Sequence, residues 1–424
     1  MEKKNRETDS DFTFSPVPDS SRKAFLPMFF IMLGFTFTSS SMSVGARLGN
    51  GLDLTDFLIA VAAGGAVLSC YVGLLSYIGS DTGLSFDLLA RRSFGRRGSL
   101  LPSFLIAVTQ IGWFGVGAAM FAYPAAGVLH VPPAVLILIA GICMTASAYH
   151  GIRGMEIVSY ISVPLIVVLG VFSMTAALSG VSGFSDMFAK MSGGTSVITG
   201  IGLVIGSFIS GGTTTPNFTR FASKRKAAVL SSVIAFFLGN SLMFLFGAVG
   251  GAFTGKDDIF YVMTAQGLLL PALFVLGANI WTTNDNALYS AGLGLSNITG
   301  VRKAPMVIAA GAAGTLAAGW LYNNFVSWLG FLSATLPPVG AVIISDYFLH
   351  RASYKEGKAV EHNVNWGAVT GVIAGALVGS FVHYGISSIN AMLTACVCYS
   401  VSTFAAHSKD LHSKGRNVSV PAQG

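Results

Sequence analysis

A chain of 424 residues that is 53% hydrophobic and only 10% charged is not a soluble globular domain, whose composition is about a quarter charged. Its mean hydropathy of +0.68 marks a polytopic, all-α membrane protein built from apolar stretches of roughly 20 residues. The net charge of +7 calls for no nucleic-acid partner, because the charges follow membrane topology.

Residues 1–22 are polar and contain no apolar run, so no cleavable signal is expected and they form a flexible cytoplasmic tail. Twelve candidate spans follow, near 25–50, 54–79, 99–128, 132–150, 155–180, 196–220, 226–253, 268–294, 303–323, 325–348, 364–384 and 386–406. Of the 25 Lys and Arg, all but Arg47, Lys190 and Lys256 lie in the two tails or in alternate loops. The positive-inside rule then places both termini in the cytoplasm, as an even number of spans requires, and an inner (cytoplasmic) membrane location is expected.

The first span carries glycines and hydroxyls at its middle, Gly34-Phe-Thr-Phe-Thr-Ser-Ser-Ser-Met-Ser-Val-Gly45. Either the helix is broken there, offering carbonyl and side-chain oxygens, or its small residues serve close helix packing. Small residues at 62–66 make the second span a packing helix. The segment 84–97 that follows is amphipathic and basic, and is expected on the cytoplasmic surface facing anionic lipid. In the third span Gln110, Trp113, Phe114 and Gly117 share one helical face, an arrangement that suits a flat ligand. His150 lies near a membrane edge beside Arg153 and Glu156, where a solvated histidine is the default.

The sixth span is expected to break as the first does, in Gly206-Ser-Phe-Ile-Ser-Gly-Gly-Thr-Thr-Thr-Pro-Asn-Phe218. Gly34 and Gly206 stand about 170 residues apart, as do Gln110 and Asn279, each pair offset by five spans, which is the plan of an inverted repeat. Lys256, Asp257 and Asp258 mark an outside loop before a short interfacial helix at 259–267. The eighth span holds the most polar run of the chain: Asn279, Thr282, Thr283 and Asn286 form one stripe, which cannot face hydrocarbon. Asp285 lies about 110° from the centre of that stripe and reads first as a hydrogen-bonded structural acid, with a protonatable coupling residue as the alternative. Leu336-Pro-Pro-Val-Gly340 predicts a kink in the tenth span. The domains are then the tail 1–22, repeats at 23–180 (helices 1–5) and 196–348 (helices 6–10), a cytoplasmic linker 349–363, two extra helices within 364–406 and a cytoplasmic tail 407–424.

Broken helices with the Thr282-Thr283 pair suit sodium, since neutral carbonyls and hydroxyls satisfy such a cation. Trp113 and Phe208 are candidates to sandwich a planar ring, with Gln110, Ser207, Ser210 and Asn279 reading its polar edge. No nucleophile with base, phosphate loop or metal cluster stands out in the spans, so an enzyme is disfavoured. A channel is disfavoured because two broken repeats suit an occluded site. The four cysteines lie in apolar spans as small buried hydrophobes.

Several runs resemble the bacterial cytosine permeases of the nucleobase-cation symporter family: the entry Ser21-Arg-Lys23, Gly-Trp-Phe-Gly-Val-Gly at 112–117, Gly-Ser-Phe-Ile-Ser at 206–210 and, most specifically, Asn-Ile-Trp-Thr-Thr-Asn-Asp-Asn-Ala-Leu-Tyr at 279–289. The resemblance covers nearly the whole chain. It implies a five-plus-five inverted repeat with discontinuous helices 1 and 6 and two further helices, importing cytosine with sodium by alternating access and without a cofactor. It places the base between Trp113 and Phe208, with contacts from Gln110, Ser207, Ser210 and Asn279. Sodium falls on backbone oxygens of Gly34, Phe37 and Asn279 and on the hydroxyls of Thr282 and Thr283. A monomer in membrane lipid is expected. The alternative is a proton-driven permease of the same fold, working through Asp285 or His150 on another nucleobase, a hydantoin or allantoin.

Overall fold

The computed structural model describes residues 11–150, 152–179, 183, 188, 194–256, 259–355 and 362–416. The expectations for residues 1–10, the Arg153 and Glu156 side chains, Lys190, Asp257, Asp258, the middle of the linker (356–361) and the end of the C-terminal tail (417–424) fall outside the described residues.

Helices account for the described chain; between Lys23 and Ala222 there is one isolated bridge, and no strand forms among the described residues. In order they are α1 (Phe25–Thr36), α2 (Ser39–Gly51), α3 (Leu54–Thr82), α4 (Phe86–Phe94), α5 (Leu100–Leu129), α6 (Pro133–Tyr149) and α7 (Ile152–Leu178). Then come α8 (Val197–Thr214), α9 (Pro216–Thr219), α10 (Arg225–Ile234), α11 (Asn240–Thr254), α12 (Ile259–Ala265), α13 (Leu269–Thr299), α14 (Lys303–Asn323), α15 (Phe325–Thr335), α16 (Pro337–Leu349), α17 (Arg351–Lys355), α18 (Trp366–Phe381) and α19 (Ser387–Arg416). Among the described residues 8 helices are long and apolar enough to cross a membrane, and the bent pair α1–α2 makes up to 9. Shorter apolar helices α6 and α18 and the polar-striped α13 occupy the other stretches anticipated as spans.

The first span is broken: α1 and α2 meet at 50°. The cause is local. Thr36 turns its hydroxyl back onto the carbonyls of Met32 and Leu33, Phe37 leaves the helix, and Thr38 is extended and caps α2 by accepting from the Ser40 N–H. The glycines beyond the break do the other job anticipated for them. A Cβ on Gly45 would sit 2.2 Å from the Phe244 carbonyl oxygen, and one on Gly247 1.8 Å from that of Met42, so α2 and α11 pack backbone to backbone.

The sixth span is interrupted inside the run expected to break, but only by one residue near its end and not at the glycines. The helix α8 runs unbroken through Gly206 and the Gly211-Gly212 pair, and its one interruption is Thr215, ahead of Pro216, inside a single span Val197–Thr219. The threonines bond back into their own helix, Thr213 to the Ile209 carbonyl at 2.8 Å and Thr214 to that of Gly211 at 3.0 Å. The glycines admit neighbours: Gly206 faces Ser333 and Gly212 faces Val72. The cost of glycine in a helix, about 1 kcal/mol each, is offset by that packing. In the tenth span the helix does end at Leu336, and both prolines open α16.

The amphipathic segment around α4 also differs. Rather than lying on lipid, it is held against the bundle. Phe86, Leu89 and Phe94 are buried, Arg91 donates to the Asn297 side chain, and Arg92 donates to the Ser353 carbonyl and lies over the Tyr354 ring. Asp87 sits outside the spans, fully buried, accepting from the Ser103 hydroxyl at 2.6 Å; burial pushes its carboxyl up to about 6. A folded-state value above the unfolded one means the folded protein holds the proton longer. The stability this gives is present at about pH 4 and lost as pH rises through about 6. Asp87→Asn is therefore expected to flatten that loss, read as melting temperature between pH 4 and 7 in detergent.

At the centre α13 packs against α5, α14, α7 and α6, α2 against α11, and α3 against α8. Helices α18 and α19 pair with each other and with α16 at the periphery, leaving Phe381, Val401 and Phe404 exposed, as lipid-facing residues are.

Candidate functional site

Where α1 breaks, α5, α8 and α13 surround a cavity of about 20 Å³, room for one or two water molecules. Gln110 and Trp113 from α5, with Ser207, Phe208 and Ser210 from α8, line it. Five residues named from sequence as base contacts are thus brought together. The Trp113 indole N–H donates to the Ser210 hydroxyl at 2.7 Å, and the Ser207 hydroxyl donates to the Val204 carbonyl. Gln110 is buried and its amide nitrogen has no hydrogen-bond partner among the protein atoms, a donor aimed at the cavity. Phe114 and Gly117, on the same predicted face, instead pack against α14 and α13.

Asn279, the sixth residue named for the base, is fully buried and turned to the break. Its side-chain oxygen accepts from the Ser39 N–H at 2.7 Å and its amide donates to the Phe37 carbonyl. It staples the two halves of the first span across α13. Thr282 and Thr283 direct their hydroxyls to the Asn279 carbonyl, at 2.7 and 3.4 Å. Of the five residues named for sodium, Phe37, Asn279, Thr282 and Thr283 therefore meet within one hydrogen-bonded group. Gly34 lies among the last four carbonyls of α1, those a helix end leaves over. The donor set of neutral carbonyls and hydroxyls fits a hard monovalent cation, and among the described residues no cluster of three His, Cys, Asp or Glu side chains forms that would hold a transition metal. Asn286 donates to the Thr282 carbonyl and stays in the helix interface.

Sequence reasoning missed Phe35, Ser40, Gly211 and Ala287, and gave Thr283 to the cation alone, although it lines the cavity too. Ala287 stands one turn beyond Thr283 on the same face, and Ser40 belongs to the hydroxyl run of the break, so both signals were present. A Cβ on Gly211 would lie 2.6 Å from a Phe208 ring carbon and 2.9 Å from the Phe35 ring. Gly211→Ala is expected to displace Phe208 and weaken binding of a ligand held in the cavity about tenfold, because overpacking costs ~1–3 kcal/mol; a titration of the purified variant reads it.

Asp285 faces away from the cavity. Its carboxyl accepts from the Ser147 hydroxyl of α6 at 2.6 Å, and that hydroxyl accepts from the Trp281 N–H at 2.7 Å. His150 is exposed.

The two ends of the bundle differ. On one side a larger cavity of about 420 Å³ is lined by Arg47, Tyr322, Asn323, Asn324, Phe325 and Ser327 among others, and the Phe325 ring stands 5.8 Å from Trp113. On the side of the basic loops the path is sealed. Buried Arg220 donates to the carbonyls of Asp11 and Phe12 at 2.7 and 3.0 Å and to the Tyr289 hydroxyl at 3.0 Å, while Lys303 pairs with Asp11 at 2.7 Å.

A polytopic helical bundle with a broken first span, a small polar and aromatic cavity at its middle, a larger cavity toward one face and a hydrogen-bonded seal at the other has the architecture of a membrane transporter. The chain belongs to the family described as permease for cytosine/purines, uracil, thiamine, allantoin, which matches residues 16–402. It is 48% identical over 393 residues to the cytosine permease of Escherichia coli strain K12, covering 92% of this chain and 94% of that one. It is 24% identical over 396 residues to the hydantoin permease of Microbacterium maritypicum, covering 83% and 80%. The nucleobase-cation-symport-1 family transporter Mhp1, in a closed conformation with bromovinylhydantoin bound, shares its fold with a TM-score of 0.81 at 18% identity over 93% of this chain and 95% of that one. A Na+-coupled sialic acid symporter does so with a TM-score of 0.72 at 15% identity over 94% and 92%. The protein is a multi-pass nucleobase transporter.

Proposed function

We propose that this protein imports cytosine across the inner membrane by sodium-coupled symport with alternating access, with both termini in the cytoplasm and residues 23–180 and 196–348 as inverted repeats. Cytosine binds between Trp113 and Phe208, whose rings part to enlarge the one- or two-water cavity between them, and its polar edge is met by Gln110, Ser207 and Ser210. Sodium lies at the break of the first span, held by oxygens of Gly34, Phe37, Asn279, Thr282 and Thr283. The observation that carries this is the position of Asn279, which ties the break to the helix whose Thr283 lines the base cavity. The 48% identity to a cytosine permease supports the substrate, and the neutral oxygen set supports the ion. The 420 Å³ vestibule opposite the sealed basic face supports an outward-facing state. Asp285, bonded to Ser147 on the far side of α13, stands apart from both ligands, which favours sodium over a proton path through it.

Proteoliposomes containing the purified protein test the coupling. An inward sodium gradient at equal pH is expected to accumulate labelled cytosine above its external concentration, and accumulation driven by a pH gradient in the absence of sodium would contradict the assignment.

A further inference from the structure

We propose that Phe236, set by the π-helical turn Ala235–Gly239, is the positioning residue that joins the cation end of the site to the base end; this rests on the sodium and cytosine assignment above. The seventh span is α-helical on both sides of this turn, and here the Asn240 N–H reaches back to the Ala235 carbonyl, five residues earlier. Such a turn is rare within α-helices, so its surroundings must favour it, and π-turns inside α-helices are frequent at functional sites. No Pro breaks the helix at Ala-Phe-Phe-Leu-Gly. The surroundings that hold the turn are the two ends of the site.

Toward the base, the buried Phe236 ring meets Phe208 nearly perpendicular, with centroids 5.3 Å apart and planes at 89°, and meets Phe35 at 6.4 Å and 77°. Phe35 in turn meets Phe208 at 5.2 Å and 78°. Edge-to-face contacts of this kind are the favoured geometry of aromatic pairs and fix ring orientation. Phe35 and Phe208 line the cavity and Phe236 does not, so Phe236 reaches the base only through them. Toward the cation, Gly239 lies against the end of α1. A Cβ there would stand 3.2 Å from the Thr36 hydroxyl, 3.2 Å from Leu33 and 3.7 Å from the Phe37 ring. One turn of helix therefore touches both the residues that end α1, where the Phe37 carbonyl is offered, and the ring against which the base stacks. An ion that fixes the α1 end fixes this turn and hence the Phe208 ring, and by linkage the base tightens ion binding by the same factor.

The test is cytosine affinity of the purified full-length protein, without sodium and at saturating sodium. In the wild type sodium is expected to tighten binding within the range of about 5- to 150-fold found for coupled sites. Phe236→Leu keeps an apolar side chain and removes the ring; it is expected to reduce that enhancement to under about twofold, with sodium-free affinity changed by less than about threefold. Phe237→Leu makes the same change in the same turn on the neighbour that packs against Gly65, and is expected to keep the wild-type enhancement. Gly239→Ala leaves Phe236 in place and presses on Thr36 and Leu33; it too is expected to lower the enhancement, and serves if Phe236→Leu does not fold. Wild-type enhancement in Phe236→Leu or in Gly239→Ala, or equal loss in Phe236→Leu and Phe237→Leu, overturns the proposal and leaves the sodium and cytosine assignment standing. A wild type whose cytosine affinity ignores sodium overturns that assignment and the proposal with it.

Discussion

Trp113→Ala is expected to weaken cytosine binding about 100-fold while leaving a folded protein, the largest effect of any single side chain lining the cavity. Stacking on an indole contributes ~1–3 kcal/mol per base, and each 1.4 kcal/mol is about tenfold in affinity. The loss has a second part. The indole N–H is the donor to Ser210 at 2.7 Å, so its removal frees that hydroxyl to turn within the site. Trp113 also meets Phe325 edge to face at the vestibule floor, so a cavity opens there toward the larger space. The check is a binding titration of the purified variant beside its melting temperature. An affinity within threefold of wild type would remove the stacking role drawn for Trp113.

Asn279→Ala is expected to abolish the response to sodium and to lower stability together. The side chain satisfies two buried backbone groups across the break, the Ser39 N–H and the Phe37 carbonyl. Leaving a buried group without a partner costs ~1–3 kcal/mol, and here both are orphaned at once. The carbonyl of Phe37, released from its donor, loses the orientation that a cation would use. Melting temperature and cytosine affinity, each measured with and without sodium, separate the two effects. The stability loss is expected at any sodium concentration, whereas the affinity loss is expected only where sodium would have helped. A variant that binds cytosine with an intact sodium response would place the ion elsewhere.

The polar runs were legible in the sequence because hydrocarbon forbids unsatisfied polar groups, so Gln110, Asn279 and the hydroxyls after Gly34 had to face the protein interior. The break in α1 follows from the same rule with Thr38 as a ready cap. The sixth span shows the limit of that reasoning. Glycine and threonine weaken an isolated helix, but threonine can bond to its own backbone and glycine can admit a neighbouring side chain, and the sequence does not say which use prevails. The same ambiguity sent the α4 segment to lipid when its apolar face packs on protein. Asn279 was legible as a site residue, though not which way its amide turns. The seal made by Asp11, Arg220, Tyr289 and Lys303 joins parts of the chain hundreds of residues apart, and no local pattern announces it. The π-turn is equally silent, since it is imposed by its neighbours and not by a helix-breaking residue.

The most direct test of a shared base and cation site is thermal stabilisation of the purified protein by a panel of bases, with and without sodium, because a ligand that binds only the folded state raises the melting temperature by mass action. Cytosine is expected to raise it more than other bases, and by more in sodium than in its absence. No shift for any base, in sodium or without it, would contradict a base site between Trp113 and Phe208.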